Sequence, residues 1–73
     1  MDSIKVANGI IKHGDPVSAT TIQGEVIEGN VFDILPYGAE FIDPEWTDAC
    51  VVIEDHESHK RVHFRPSKVY KCS

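Results

Sequence analysis

The sequence predicts an all-β domain of five to six short antiparallel strands, with at most one short helical turn, curled into a small barrel. Three observations predict it. Gly and Pro fall singly and at short intervals along the 73 residues, as turn punctuation rather than as linkers. The stretches between them are rich in β-branched residues, which lose rotamer freedom in a helix and pack well in a strand. A chain this short has few ways to hide its unpaired strand edges, and curling the sheet on itself is the most direct.

Residues 4–12 open the chain as a β-branched strand, with Asn8-Gly9 marking either a two-residue hairpin turn or a bulge. His13-Gly14-Asp15-Pro16 ends it. Residues 20–28 make the next strand, with Ile22, Gly24 and Val26 on one face and Gly24 as the point where a curled strand bends. Gly29-Asn30 turns a hairpin, residues 31–35 return as the partner strand, Pro36-Tyr37-Gly38 turns again, and residues 39–42 form a short extended piece. Residues 43–55 carry two signals. Asp43-Pro44 resembles a helix cap with Trp46, Ala49, Cys50 and Ile53 at helical spacing, whereas Val51-Val52-Ile53 is a strand sequence. The balance favours a single helical turn near Trp46 followed by a strand to Glu54. After a polar turn over residues 55–60, residues 61–65 alternate, with Val62 and Phe64 inward and Arg61, His63 and Arg65 outward. Pro66-Ser67-Lys68 makes one tight turn and residues 69–71 close the chain. Val26, Ile53, Val62 and Phe64 are the expected core.

Length and composition bound what such a domain does. A chain of 73 residues is one domain (residues 1–73) that buries only about 60% of its unfolded surface, too little to enclose a large active-site cleft. The longest apolar run is residues 49–53, far below the roughly 20 residues of a membrane span, and the first residues lack the basic-then-apolar layout of a signal peptide. The expected setting is cytoplasmic, with Cys50 and Cys72 as reduced thiols, too few to staple a secreted fold. The net charge of −5 is unevenly spread. Eleven acids and no Lys or Arg lie between His13 and His59, whereas Lys60, Arg61, Arg65, Lys68 and Lys71 follow with no acid among them. Such blocks predict either a bipolar surface or acidic and basic strands paired across a sheet.

Chemistry that needs a built centre finds little in this pattern. His56, His59 and His63, with Cys50 and Cys72, are ligand types that suit zinc, but there is no paired-thiolate knuckle and His63 points outward from a strand, so no metal site is expected. A nucleophilic cysteine needs a cationic or histidine partner, whereas Cys50 sits in the most apolar run and Cys72 near the chain end, so both are expected to be inert. The carboxylate pairs Glu54-Asp55 and Asp43/Glu45 fall in turns or on strand exteriors, without the desolvation that general acid–base work requires. No glycine loop precedes a helix to cradle phosphate. Phe64 and Tyr70 interleave with bases as in single-strand binders, yet the net negative field repels phosphate and Phe64 is needed inside. A non-enzymatic protein without cofactor, nucleic acid or membrane partner is the expectation.

The C-terminal segments Cys50-Val51-Val52-Ile53-Glu54 and Val62-His63-Phe64-Arg65-Pro66-Ser67-Lys68-Val69 resemble the end of the variable (alpha) subunit of ferredoxin:thioredoxin reductase. There, too, a strand leads into a His-Phe-Arg-Pro turn. Residues 4–11 resemble the opening strand of that family, and Gly24-Glu25-Val26 its Gly-Glu-Val strand; residues 30–48 have no counterpart. The resemblance implies an SH3-like barrel that is a non-catalytic accessory subunit, packing against a catalytic iron–sulfur subunit and binding no cluster itself. Docking a partner in an electron-transfer assembly would then use the basic end, with Lys60, Arg61, His63, Arg65 and Lys68 as contact residues. The alternative is a free-standing acidic inhibitor or decoy that presents the eleven-acid segment to a basic, nucleic-acid-binding type of protein.

Overall fold

A computed structural model describes residues 2–38 and 43–72 of the chain. The fold is all-β. Seven strands run in chain order: β1 Ser3–Val6, β2 Gly9–Lys12, β3 Pro16–Thr20, β4 Val26–Leu35, β5 Cys50–Asp55, β6 Arg61–Phe64 and β7 Val69–Lys71. A single 3-10 turn, Pro66–Lys68, joins the last two. The strands form two antiparallel sheets, a β1-β2 hairpin and a five-stranded sheet in the order β6-β5-β4-β3-β7. The expected barrel is therefore not closed: β6 and β7 stand at opposite ends of the larger sheet instead of pairing with each other. Among the described residues no helix is long and apolar enough to cross a membrane.

The first hairpin turns one residue earlier than expected. Val6 pairs with Gly9, so the two loop residues are Ala7 and Asn8. The Asn8 amide then reaches across to β7, where Oδ1 accepts the Lys71 N–H at 2.7 Å and Nδ2 donates to the Lys71 carbonyl at 3.0 Å. With the Ala7 N–H donating to the Val69 carbonyl at 3.1 Å, the hairpin covers the outer side of β7 much as another strand would.

The middle of the chain departs further from expectation. The turn residues 13–16 lead straight into β3, and residues 21–25 are not strand but the connection from β3 to β4, with Thr20 opposite Val26. Gly24 adopts φ +86, and the Thr21 hydroxyl and carbonyl accept the N–H groups of Glu25 and Gly24. A positive φ is what glycine supplies here, not room for a bend. Ile22 is consequently fully exposed and Val26 is 65% exposed, so Val26 is not a core residue. Nor is Gly29-Asn30 a turn: both lie within the ten-residue β4. A Cβ at Gly29 would sit 2.0 Å from the carbonyl oxygen of Glu54 on β5, so glycine allows a close strand approach. Asn30 ties the strand to its neighbouring turns, donating from Nδ2 to the Gly14 carbonyl and accepting from His56 Nε2.

One face of the larger sheet, with the hairpin folded over it, holds the main core: Val6, Ile11, Val17, Ala19, Val31, Ile34, Val51, Ile53, Phe64 and Val69, with Val62 packed at its margin. The expected places of Ile53, Val62 and Phe64 hold. On the other face Trp46, Cys50 and Val52 pack together with Leu35, so β5 is covered on both sides, which accounts for its unbroken apolar run. The stretch around Trp46 is a hydrogen-bonded turn without a helix, the Trp46 N–H donating to the Asp43 carbonyl at 2.9 Å and the Asp43 carboxylate accepting the Glu45 N–H at 3.0 Å. The extended piece expected at 39–42 lies outside the described residues.

Candidate functional site

A groove of about 820 Å³, open to solvent, lies where the two end strands of the sheet curl toward each other. Its lining comes from β6 and Arg65 after it, from Tyr70 on β7, from Lys68 on the 3-10 turn, from the end of β3 and the two residues after it (residues 20–22), and from the turn at Asp43, Pro44 and Trp46. Four of the five residues picked as partner contacts line it: Arg61, His63, Arg65 and Lys68. Lys60 does not; its backbone closes the 55–60 turn, with its carbonyl accepting from Asp55 and its N–H donating to Ser58 Oγ.

Alternation along β6 brings these residues together, placing Phe64 in the core and Arg61, His63 and Arg65 on the opposite side of the strand. Neither arginine floats. Arg61 stands opposite Glu54 across β5, with Nε 3.7 Å from the carboxylate, and its guanidinium lies 3.8 Å from the centre of the Phe32 ring. Phe32 is available because a bulge between Val31 and Asp33 releases it from the strand alternation. Arg65 places Nη2 3.2 Å from Asp43 Oδ2 and its guanidinium 5.6 Å from the Trp46 ring. Both ion pairs are about half exposed, so they fix orientation more than they stabilise the fold. The expected pairing of acids with bases across strands occurs at Arg61 and Glu54.

The groove also has apolar members that sequence reasoning did not pick. Ile22 and Tyr70 are exposed on one wall, and Trp46 and Pro44 form part of the other. These come from three separate stretches, and only the curl of the sheet joins them.

Several acids of the long acidic segment are engaged in local geometry. Carboxylate oxygens of Asp15, Asp33, Asp43 and Asp55 accept backbone N–H groups of Lys12, Ile34, Glu45 and Glu57. The Glu57 N–H is the main reason that the Asp55 carboxyl is held below its ordinary range. His13 Nε2 lies 3.5 Å from Asp33 Oδ1. Among the described residues, no three His, Cys, Asp or Glu side chains come together as a metal site would require. His56 is engaged with Asn30, His59 occupies the left-handed φ of +59 in its turn, and Cys50 and Cys72 are free thiols. Burial pushes the Cys50 thiol up, against a hydrogen bond from the Phe64 backbone that lowers it, while Asp33 and Asp48 push it further up.

No protein-family model, curated protein or solved structure matches the chain.

Proposed function

We propose that the chain is a non-catalytic accessory subunit that docks a partner protein of an electron-transfer assembly through the groove beside β6. The observation that carries this reading is the convergence of Arg61, His63, Arg65 and Lys68 on one concave surface, in a chain whose net charge is −5. Local charge opposite to the net charge steers an acidic partner to one place and fixes its orientation. The electron-transfer assignment draws on the sequence resemblance. Its C-terminal segments fall on β5, β6, the 3-10 turn and the first residue of β7, and of these β6 and the turn line the groove. Its Gly24-Glu25-Val26 segment instead spans the turn and the first residue of β4. Ferredoxins are acidic, and an acidic iron–sulfur protein is the partner class that such a groove suits.

The test is binding of the purified chain to an acidic ferredoxin and to the catalytic iron–sulfur subunit of a ferredoxin:thioredoxin reductase, measured by calorimetry over a range of salt. Binding that weakens with salt and is lost in Arg65→Ala, while a variant with Glu28, Glu45 and Asp48 neutralised still binds, supports the reading. Asp43 is left intact in that variant because it holds Arg65. Binding that fails in the acid-neutralised variant and survives Arg65→Ala would replace the accessory subunit with the acidic decoy.

A further inference from the structure

We infer that the groove takes a linear acidic segment carrying one large apolar side chain. This names the ligand chemistry of the docking surface and rests on that reading of it.

The lining is amphipathic in an ordered way. The exposed Ile22 and Tyr70 and the half-buried Val62 offer apolar surface beside the buried rings of Phe64 and Trp46, so a side chain of Leu or Phe size has an apolar strip to pack on. Around this strip stand Arg61, Arg65, Lys68 and His63, with Asp43 the only acid among the described residues of the lining. Arg61 and Arg65 are already held, each by one carboxylate and one aromatic ring. A guanidinium has five N–H donors, and one contact with Glu54 or Asp43 leaves others for a second carboxylate. Cations held in place before binding lose less side-chain freedom when they engage, which favours affinity. Lys68 makes no ion pair among the described residues.

Other occupants fit less well. A small molecule gains from burial over most of its surface, and a groove open to solvent leaves one side of it in water. Single-stranded nucleic acid binds by stacking successive bases on exposed rings, and among the described lining residues Tyr70 is the only exposed ring. A linear segment meets the geometry directly, with one anchor in the apolar strip and carboxylates at the cations.

Trp46 is the only tryptophan and lies in the groove wall, so its emission reports occupancy. The experiment titrates the full chain with a short blocked peptide of Glu and Asp around one Phe. Three controls accompany it: acids replaced by Gln, acids replaced by Lys, and Phe replaced by Gly. The acidic Phe peptide is expected to shift Trp46 emission saturably, and the three controls to bind at least tenfold more weakly. Arg65→Ala, Lys68→Ala and Tyr70→Ala should each weaken binding about three- to tenfold, the range of one lost interface contact, with melting curves confirming that each variant folds. Equal binding of the Lys peptide, or no saturable shift up to about 1 mM peptide, the weak limit of specific binding, overturns the inference. The two readings fail separately. Should the iron–sulfur proteins bind in an Arg65-dependent manner while the peptide does not, the linear-segment inference falls and the docking reading stands. Peptide binding without iron–sulfur protein binding gives the reverse.

Discussion

The two end strands of the five-stranded sheet are finished by different means. β7 is finished by hydrogen bonds to its backbone: the Ala7 N–H and the Asn8 side-chain amide satisfy Val69 and Lys71. β6 is finished by side chains: Arg61 within it lies over Phe32 and pairs with Glu54, and Arg65 just beyond it lies near the Trp46 ring and pairs with Asp43. The contrast shows how a small open sheet can assign stability to one side and recognition to the other. Backbone hydrogen bonds fix β7 in a single arrangement. Half-exposed ion pairs hold β6's cations in place yet leave them able to exchange one carboxylate for another.

Removing what anchors β6 to the core is expected to have the largest effect. Phe64→Ala should cost about 3–5 kcal/mol, enough to unfold a domain this small, as read by urea denaturation. A loss of less than about 1 kcal/mol would mean that β6 is held by its outward side chains and would erase the contrast. Asn8→Ala comes next. It removes two hydrogen bonds at exposed backbone groups that water can partly replace, for an expected loss of about 1–2 kcal/mol. Amide exchange should accelerate selectively at Lys71, whereas unchanged exchange there would show that the hairpin does not seal β7. Arg65→Ala is smaller for stability, at most about 1 kcal/mol given the exposure of its pair with Asp43. Its melting temperature should barely move while partner binding falls.

The smallest expected effect is alkaline. Cys50 keeps its proton in the folded chain to a higher pH than in the unfolded one, mainly because it is buried. Its contribution is fully present below the ordinary thiol range, about 8.5, and is lost as pH rises through the higher folded value. Melting should therefore decline from pH 8 to 10 more in the parent chain than in Cys50→Ala. A thiol reagent at neutral pH should label the half-buried Cys72 well before Cys50, and equal rates would show that the back of β5 opens readily.

The legible part of the fold was the C-terminal half. Val51-Val52-Ile53 declares a strand, and the 61–65 alternation and Pro66 turn follow from short-range rules. Misplacement of β3 and β4 came from two glycines with interchangeable local signals. Gly24 is the turn and Gly29 the close approach, and what separates their roles is a Glu54 carbonyl far along the chain. The groove was half legible for the same reason. A run of bases without acids is visible in sequence, and four of its members line the groove. Ile22, Trp46 and Tyr70 carried no shared signal, since neighbours across an open sheet edge are set by curvature rather than by spacing.

Gly29 also bears on how the chain finds its pairing during folding. Antiparallel strands as apolar as β4 and β5 have competing alignments, and a slip of one residue exchanges the faces of every side chain. In the native alignment the Glu54 carbonyl occupies the space that a Cβ at position 29 would fill, with the Ile53 side chain 3.0 Å from that same point. A shift by one residue brings Glu28 or Asn30 to the place opposite Asp55 that Gly29 holds, and either would drive its Cβ into backbone. Alignments that place a side chain there carry a steric cost that the native one avoids, so the missing methyl group at position 29 favours the native register of β4 on β5.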